Sequence, residues 1–262
     1  MQIDIKSIPV NPMKRDLYLI VPAAGTGSRM GLDYSKQFLK IDGIPVLART
    51  LLAFAEFSEK STVPIHGVIV TSEENIPLVS ELVSEYKISF VEKIVKGGAT
   101  RQDSVSCGIE ALSSLSRIPD AKDIVFIHDG ARCMVDRKTI TACFAAGSMY
   151  DVSVAATPCK NTIKCAVEET PSSDDSPRLV DRTLDRSLLY EVQTPQVFKY
   201  GVLLEVNAKA KEKGITATDD TALAEALGFP VRLIPCSYGN IKITTPEDAS
   251  LAEFLLKEQR EI

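Results

Sequence analysis

The strongest constraint on this chain is a set of short, unbroken apolar runs separated by helix-like stretches. Leu17–Pro22 (LYLIVP), 67–71 (GVIVT), 124–128 (IVFIH) and 152–156 (VSVAA) are rich in β-branched residues, and most lack in/out alternation. Strands of that kind are buried on both faces, which is the condition of a parallel sheet covered by helices. The stretches 46–59, 74–86, 101–115 and 138–149 read as those helices. Strand alternating with helix predicts an α/β fold with right-handed crossovers.

Two later helices carry start signals. Thr218-Asp-Asp-Thr supplies a cap and two acids, with Gly228 closing that helix. Thr245-Pro-Glu-Asp supplies a cap, a proline at the first helical position and acids that suit the dipole. The region 156–196 breaks the pattern. It reads as strand 162–167, a polar turn (ETPSSDDSP) and strand 178–184. An isolated hairpin is marginal in water, so this one is expected to pack on something, a second subunit being one choice. The 262 residues thus read as a single domain over 1–262 with a β-arm insertion at about 157–195.

Charge and cysteine usage narrow the function classes. Net charge is −5 and the pI about 5.3, which argues against a nucleic-acid partner. No apolar run reaches the roughly 18–20 residues of a membrane helix, so no membrane partner is expected. Six scattered cysteines with no CxxC pair argue against zinc; read as free thiols, they predict a reducing, cytoplasmic setting. Two histidines supply Ser-His-Asp chemistry poorly.

The first apolar run leads into AAGTGSRMG and then Lys36-Gln37. A glycine loop after the first strand of such a sheet lies where these folds bind phosphates. Gly25 and Gly27 let backbone N–H groups approach a polyphosphate, and Arg29 and Lys36 add charge. The loop is neither a dinucleotide fingerprint, since Met30 replaces the third glycine, nor a P-loop. Taken alone it also reads as a plain strand–helix turn.

Further motifs follow in order: GGATRQDSV (97–105), HDGAR (128–132), PCKNTIK (158–164), TLDRSLLYEVQTPQVF (183–198), TDD (218–220) and NIKITTPED (240–248). With AAGTGSRM…KQF, this set resembles the 2-C-methyl-D-erythritol 4-phosphate cytidylyltransferase family of the non-mevalonate isoprenoid pathway. The resemblance covers about residues 16–258. It implies a Rossmann-like nucleotidyltransferase domain with a mostly parallel twisted sheet. It also implies transfer of CMP from CTP to 2-C-methyl-D-erythritol 4-phosphate with release of pyrophosphate.

The resemblance also assigns residues. Arg29, Lys36, Arg186 and Lys242 match the catalytic cations. Ala23, Ala24, Gly25, Thr26, Gly27, Gly98, Arg101, Ser104, Asp129 and Gly130 match the CTP site. Arg132, Thr162, Thr194 and Thr218 match the substrate's partners. Asp129 is the expected ligand of Mg²⁺, the implied cofactor; His128 beside it reads as structural. Two departures stand out, Ala99 where some members have an acid and Asn161 where an Asp is usual. The family's arms clasp between two subunits, so a homodimer through the β-arm is implied. Ribitol 5-phosphate cytidylyltransferases share the early motifs, but TLDRS before TPQ favours methylerythritol phosphate. A non-catalytic nucleotide-binding protein of the same fold is at odds with Arg29, Lys36 and Lys242. A nicotinamide oxidoreductase is at odds with the missing glycine.

Overall fold

The computed structural model describes residues 15–25, 34–168 and 176–261. Thr26, Gly27, Arg29 and most of the polar arm tip lie outside the described residues. In chain order the elements are β1 (Leu17–Pro22), β2 (Lys40–Ile41), β3 (Ile44–Pro45), α1 (Val46–Ser61), β4 (Ile65–Thr71), α2 (Ile76–Glu85), β5 (Val91–Lys96), α3 (Arg101–Leu112), β6 (Ile124–Ile127), α4 (Arg137–Met149) and β7 (Val152–Pro158). There follow β8 (Lys164–Ala166), β9 (Val180–Thr183), β10 (Tyr190–Lys199), α5 (Tyr200–Lys213), α6 (Asp220–Ala226), β11 (Val231–Pro235) and α7 (Pro246–Glu261).

The central sheet runs β11-β7-β10-β6-β1-β4-β5. Strand β1 pairs in parallel with β4 and β6, β4 with β5, and β7 with β11; β10 is antiparallel to both β6 and β7. The sheet is thus mostly parallel, as the unbroken apolar runs predict. Strand β1 shows why those runs lack alternation. Leu17, Leu19 and Val21 enter one core with Leu51, Phe54 and Ile140 of α1 and α4. Tyr18 and Ile20 enter the opposite core with Val105, Ile109 and Leu203 of α3 and α5. Side chains alternate between two buried faces, so every position is apolar. A third, smaller cluster docks α7 through Ala252 onto Ile41, Ala131 and Ile243.

Three differences from the sequence reading have physical causes. Strand β10 lies inside the main sheet, so residues 190–195 of the expected arm insertion belong to it, and the chain leaves the sheet only at 159–189. Its buried Gln193, Thr194 and Gln196 hide it from an apolar-run search. The arm's own ladder is shorter than expected, Lys164–Ala166 against Val180–Thr183. The cap of α6 is Asp219, which accepts from Thr221 N and Ala222 N; Thr218 stands exposed one residue outside the helix.

The arm root is tied to the loop before α7. Tyr238 donates its hydroxyl to Pro158 O at 2.8 Å, and Lys160 Nζ lies 3.5 Å from its ring centroid.

Candidate active site

The site forms at the carboxyl edge of β1 and β6, where parallel sheets place their ligand crevices. Beyond β6, His128 N donates to Ile20 O and Gly130 N to Pro22 O. Asp129 therefore turns its N–H the other way, toward β10. There it meets the Thr194 hydroxyl at 3.2 Å rather than a backbone carbonyl, because the register of β10 shifts between Val192 and Gln196.

Two cavities open beside this edge. The first, about 400 Å³, is lined by Ala24, Gly25, Lys36, Gln37, Gly98, Arg101, Ser104, Asp129 and Lys242 among others. The second, about 310 Å³, is lined by Arg132, Gln193, Thr194, Gln196, Thr218 and Asp219, again with Arg101, Asp129 and Lys242. The last three residues are a wall common to both.

That wall is an ion cluster. Asp129 Oδ2 lies 2.8 Å from Lys242 Nζ and 3.6 Å from Arg132 Nε, and its Oδ1 lies 3.5 Å from Arg101 Nη2. Burial alone would raise the carboxyl pKa, but Lys242, Arg101 and Arg132 outweigh it and hold the group well below the usual carboxylate range. Arg101 also donates to Asp220 Oδ2 at 2.7 Å. Burial pushes the Asp220 carboxyl up against the opposing pull of Arg101. Arg132 Nη1 donates to Asn240 O at 2.9 Å, and Asn240 Nδ2 to Thr194 O at 2.8 Å. Cations from α3, from the loop after β6 and from the loop before α7 thereby converge on one carboxylate.

The loop 97–104 closes the first cavity. Thr100 caps α3 by accepting from Asp103 N at 3.0 Å, and Asp103 Oδ2 accepts from Thr100 N at 3.1 Å, a capping box. Two glycines are needed by close approach. A Cβ on Gly97 would meet Ser104 Oγ, and one on Gly98 would collide with the Asp103 Cβ. Ser104 is buried, and its hydroxyl donates to Thr100 O at 2.9 Å.

The sequence candidates sort as follows. Ala24, Gly25, Lys36, Gly98, Arg101, Ser104, Asp129 and Lys242 line the first cavity. Arg132, Thr194 and Thr218 line the second. Ala23 is buried, and Gly130 is packed against Gln37, Leu47 and Ala23. Thr162 and Arg186 sit on the exposed arm and line neither cavity; Arg186 Nη1 donates to Lys160 O at 3.0 Å. Sequence reasoning gave Asp220 no role at the site beyond a dipole-matched acid within the TDD motif, and that motif was the available signal. It also set His128 aside. The ring is fully buried against Phe54, its Nε2 is 3.2 Å from Arg132 O and its Nδ1 3.0 Å from Thr194 Oγ1. Burial pushes its pKa down to about 4.

Among the described residues, no group of three or more His, Cys, Asp or Glu side chains could hold a metal ion. The single carboxylate in the wall fits a magnesium ion carried mainly by phosphate oxygens and water, not one caged by protein.

Residues 17–258 match the family profile described as 2-C-methyl-D-erythritol 4-phosphate cytidylyltransferase. A protein of that name from Dehalococcoides mccartyi is 42% identical over 241 residues, covering 92% of this chain and 96% of its own length. One from Bacillus cereus is 39% identical over 242 residues, covering 92% and 98%. The crystal structure of 4-diphosphocytidyl-2C-methyl-D-erythritol synthase from Anaerococcus prevotii superposes with a TM-score of 0.74 at 26% identity, covering 93% of this chain and 97% of that one. On the motif set, the sheet order and these matches, the chain belongs to the 2-C-methyl-D-erythritol 4-phosphate cytidylyltransferase family.

Proposed function

We propose that this chain carries out its family's nucleotidyl transfer across the Arg101–Asp129–Lys242 wall: CTP in the first cavity, 2-C-methyl-D-erythritol 4-phosphate in the second. The observation that carries the reading is that wall, shared by two cavities of suitable polarity. An oxygen of the substrate phosphate attacks the α-phosphorus of CTP, a new P–O bond forms, and pyrophosphate leaves with the electrons of the bond that breaks. The nucleophile is already ionised near pH 7, so no protein base is needed, which suits a site whose histidine is buried. What two polyanions need is positive charge fixed in advance. Lys36 and Arg101 supply it on the nucleotide side, and Lys242 and Arg132 on the acceptor side. Backbone groups at Ala24 and Gly98, with Ser104, face the space assigned to cytosine.

Magnesium is part of the proposal. Asp129 would be its one protein carboxylate, and the ion would neutralise triphosphate charge when bound.

A homodimer is the proposed assembly. Val180 and Leu188 on the arm are 50% and 76% exposed, apolar side chains that a second subunit could cover. Arg186 and Thr162, which line neither cavity of their own chain, would then serve the partner's. Among the described residues no helix is long and apolar enough to cross a membrane. The free cysteines among them support a reducing, cytoplasmic setting.

Pyrophosphate release from CTP, magnesium and 2-C-methyl-D-erythritol 4-phosphate tests the reading, with ribitol 5-phosphate as competitor. Release that EDTA stops is the expected result. Preference for ribitol 5-phosphate, or no release from folded protein, rejects it.

A further inference from the structure

The hydrogen bonds around Thr194 limit what its side chain can offer a ligand. His128 Nε2 faces Arg132 O at 3.2 Å. A carbonyl only accepts, so this nitrogen carries the proton. Both ring nitrogens have uncharged partners, and the ring is buried edge-on against Phe54, with centroids 5.1 Å apart. That is the setting of a neutral imidazole, which leaves Nδ1 a bare acceptor. The Thr194 hydroxyl, 3.0 Å away, therefore donates to it. One hydroxyl lone pair already accepts from Asp129 N–H at 3.2 Å. The proton is spent and one lone pair is spent, so what remains is a single lone pair. Thr194 O is fixed as well, by Asn240 Nδ2.

We infer that His128 is a positioning residue that makes Thr194 a hydrogen-bond acceptor only, so that the second cavity reads an alditol hydroxyl at Thr194 and not a phosphate oxygen. A phosphate oxygen brings no proton and would meet lone pair against lone pair. The acceptor's phosphate is accordingly assigned to the cationic side of the cavity, at Lys242 and Arg132. This rests on the acceptor site proposed above and gives it a direction: hydroxyls toward β10, phosphate toward the ion cluster.

Two measurements test it. The first needs no turnover. Nitrogen-15 NMR of the free enzyme at pH 7 should show the His128 ring neutral, with its proton on Nε2. A proton on Nδ1, or on both nitrogens, would turn the Thr194 hydroxyl into a donor and overturn the inference. The second uses deoxy analogues of the alditol phosphate, each lacking one hydroxyl. One analogue should lose about 10²-fold in kcat/KM, the scale of one buried acceptor left unpaired. In Thr194→Val that same analogue and the full substrate should be used almost equally, while Thr194→Ser keeps the discrimination. Equal use of all analogues by the unaltered enzyme, or undiminished discrimination in Thr194→Val, overturns the inference even if the enzyme is active. Absence of turnover with every alditol phosphate rejects the functional reading instead, and the NMR result then judges the hydrogen-bond direction alone.

Discussion

The Lys242 ammonium is hydrogen-bonded to the Asp129 carboxylate at 2.8 Å, on the wall common to both cavities. The two residues come from the loop before α7 and the end of β6, so the ion pair fixes the distance between two parts of the site that the sheet alone does not link. The members of the pair differ in exposure, with side chains 38% and 10% exposed. Their removal should therefore differ in kind. Asp129→Asn leaves Lys242 and Arg132 without their counter-charge, Arg101 keeping Asp220, and should lower stability by about 3 kcal/mol in urea unfolding, on the scale of a broken buried pair. Lys242→Met should cost little stability but about 10²-fold in kcat, as for one lost preorganised charge. Equal stability loss in the two variants would mean that the cluster is held some other way.

The Asp220 carboxylate holds Arg101, while its backbone N–H donates to Gln196 Oε1 at 3.0 Å. Asp220→Asn should raise the KM for CTP by roughly 10-fold with kcat within a few-fold, because a charge-assisted bond is weakened while the guanidinium stays. Steady-state kinetics with each substrate varied in turn checks this. An unchanged KM for CTP would show that Arg101 needs no second anchor.

Gly98 is set by space. Gly98→Ala would drive its Cβ into Asp103 and open the capping box at Thr100. The expected outcome is a loss of about 1 kcal/mol in stability, the value of a cap, with a weakened KM for CTP. Normal CTP binding in this variant, measured by calorimetry, would detach the loop from base recognition.

Burial of His128 gives an acid-side stability limit. Its folded-state pKa is pushed down to about 4 from an ordinary 6.5, so the unfolded chain takes up the proton first as pH falls. The contribution is intact above pH 6.5 and declines between pH 6.5 and 4, reaching about 3 kcal/mol in all. Asp129 does not mask this decline, because its own carboxyl titrates below that window. Urea midpoints at pH 7, 5.5 and 4.5 should fall in step. A flat profile over that range would show that the ring tolerates protonation.

Much of this was legible in the sequence where one physical demand acted alone. Residues of β1 and β6 are apolar because both faces are buried, and the runs announce it. The start of α3 at residue 101 followed from its pattern, and the structure adds the Thr100–Asp103 capping box that fixes it. Legibility failed where two demands met on the same residues. Strand β10 must pair with two neighbours and also furnish the site, so Gln193, Thr194 and Gln196 replace the apolar residues that mark a strand. Strand β5 is an edge strand with exposed Glu92, and its charges disguised it. Asp220 looks like any acid at a helix start until the fold brings Arg101, 119 residues earlier, against it. His128 heads the HDGAR motif, but only the register of β10 shows what its ring faces.

The arm enters and leaves the sheet through two strands that are paired neighbours, with Pro158 and Tyr190 facing each other in register. It is therefore a cassette with adjacent joints. Everything between those joints can be lengthened, shortened or exchanged with a relative's arm without shifting the register of Thr194 or Gln196 farther along β10. A chimaera cut at these two residues therefore swaps Thr162 and Arg186 together with the rest of the arm while leaving both cavities of the receiving chain intact, which separates what the arm contributes from what the sheet contributes.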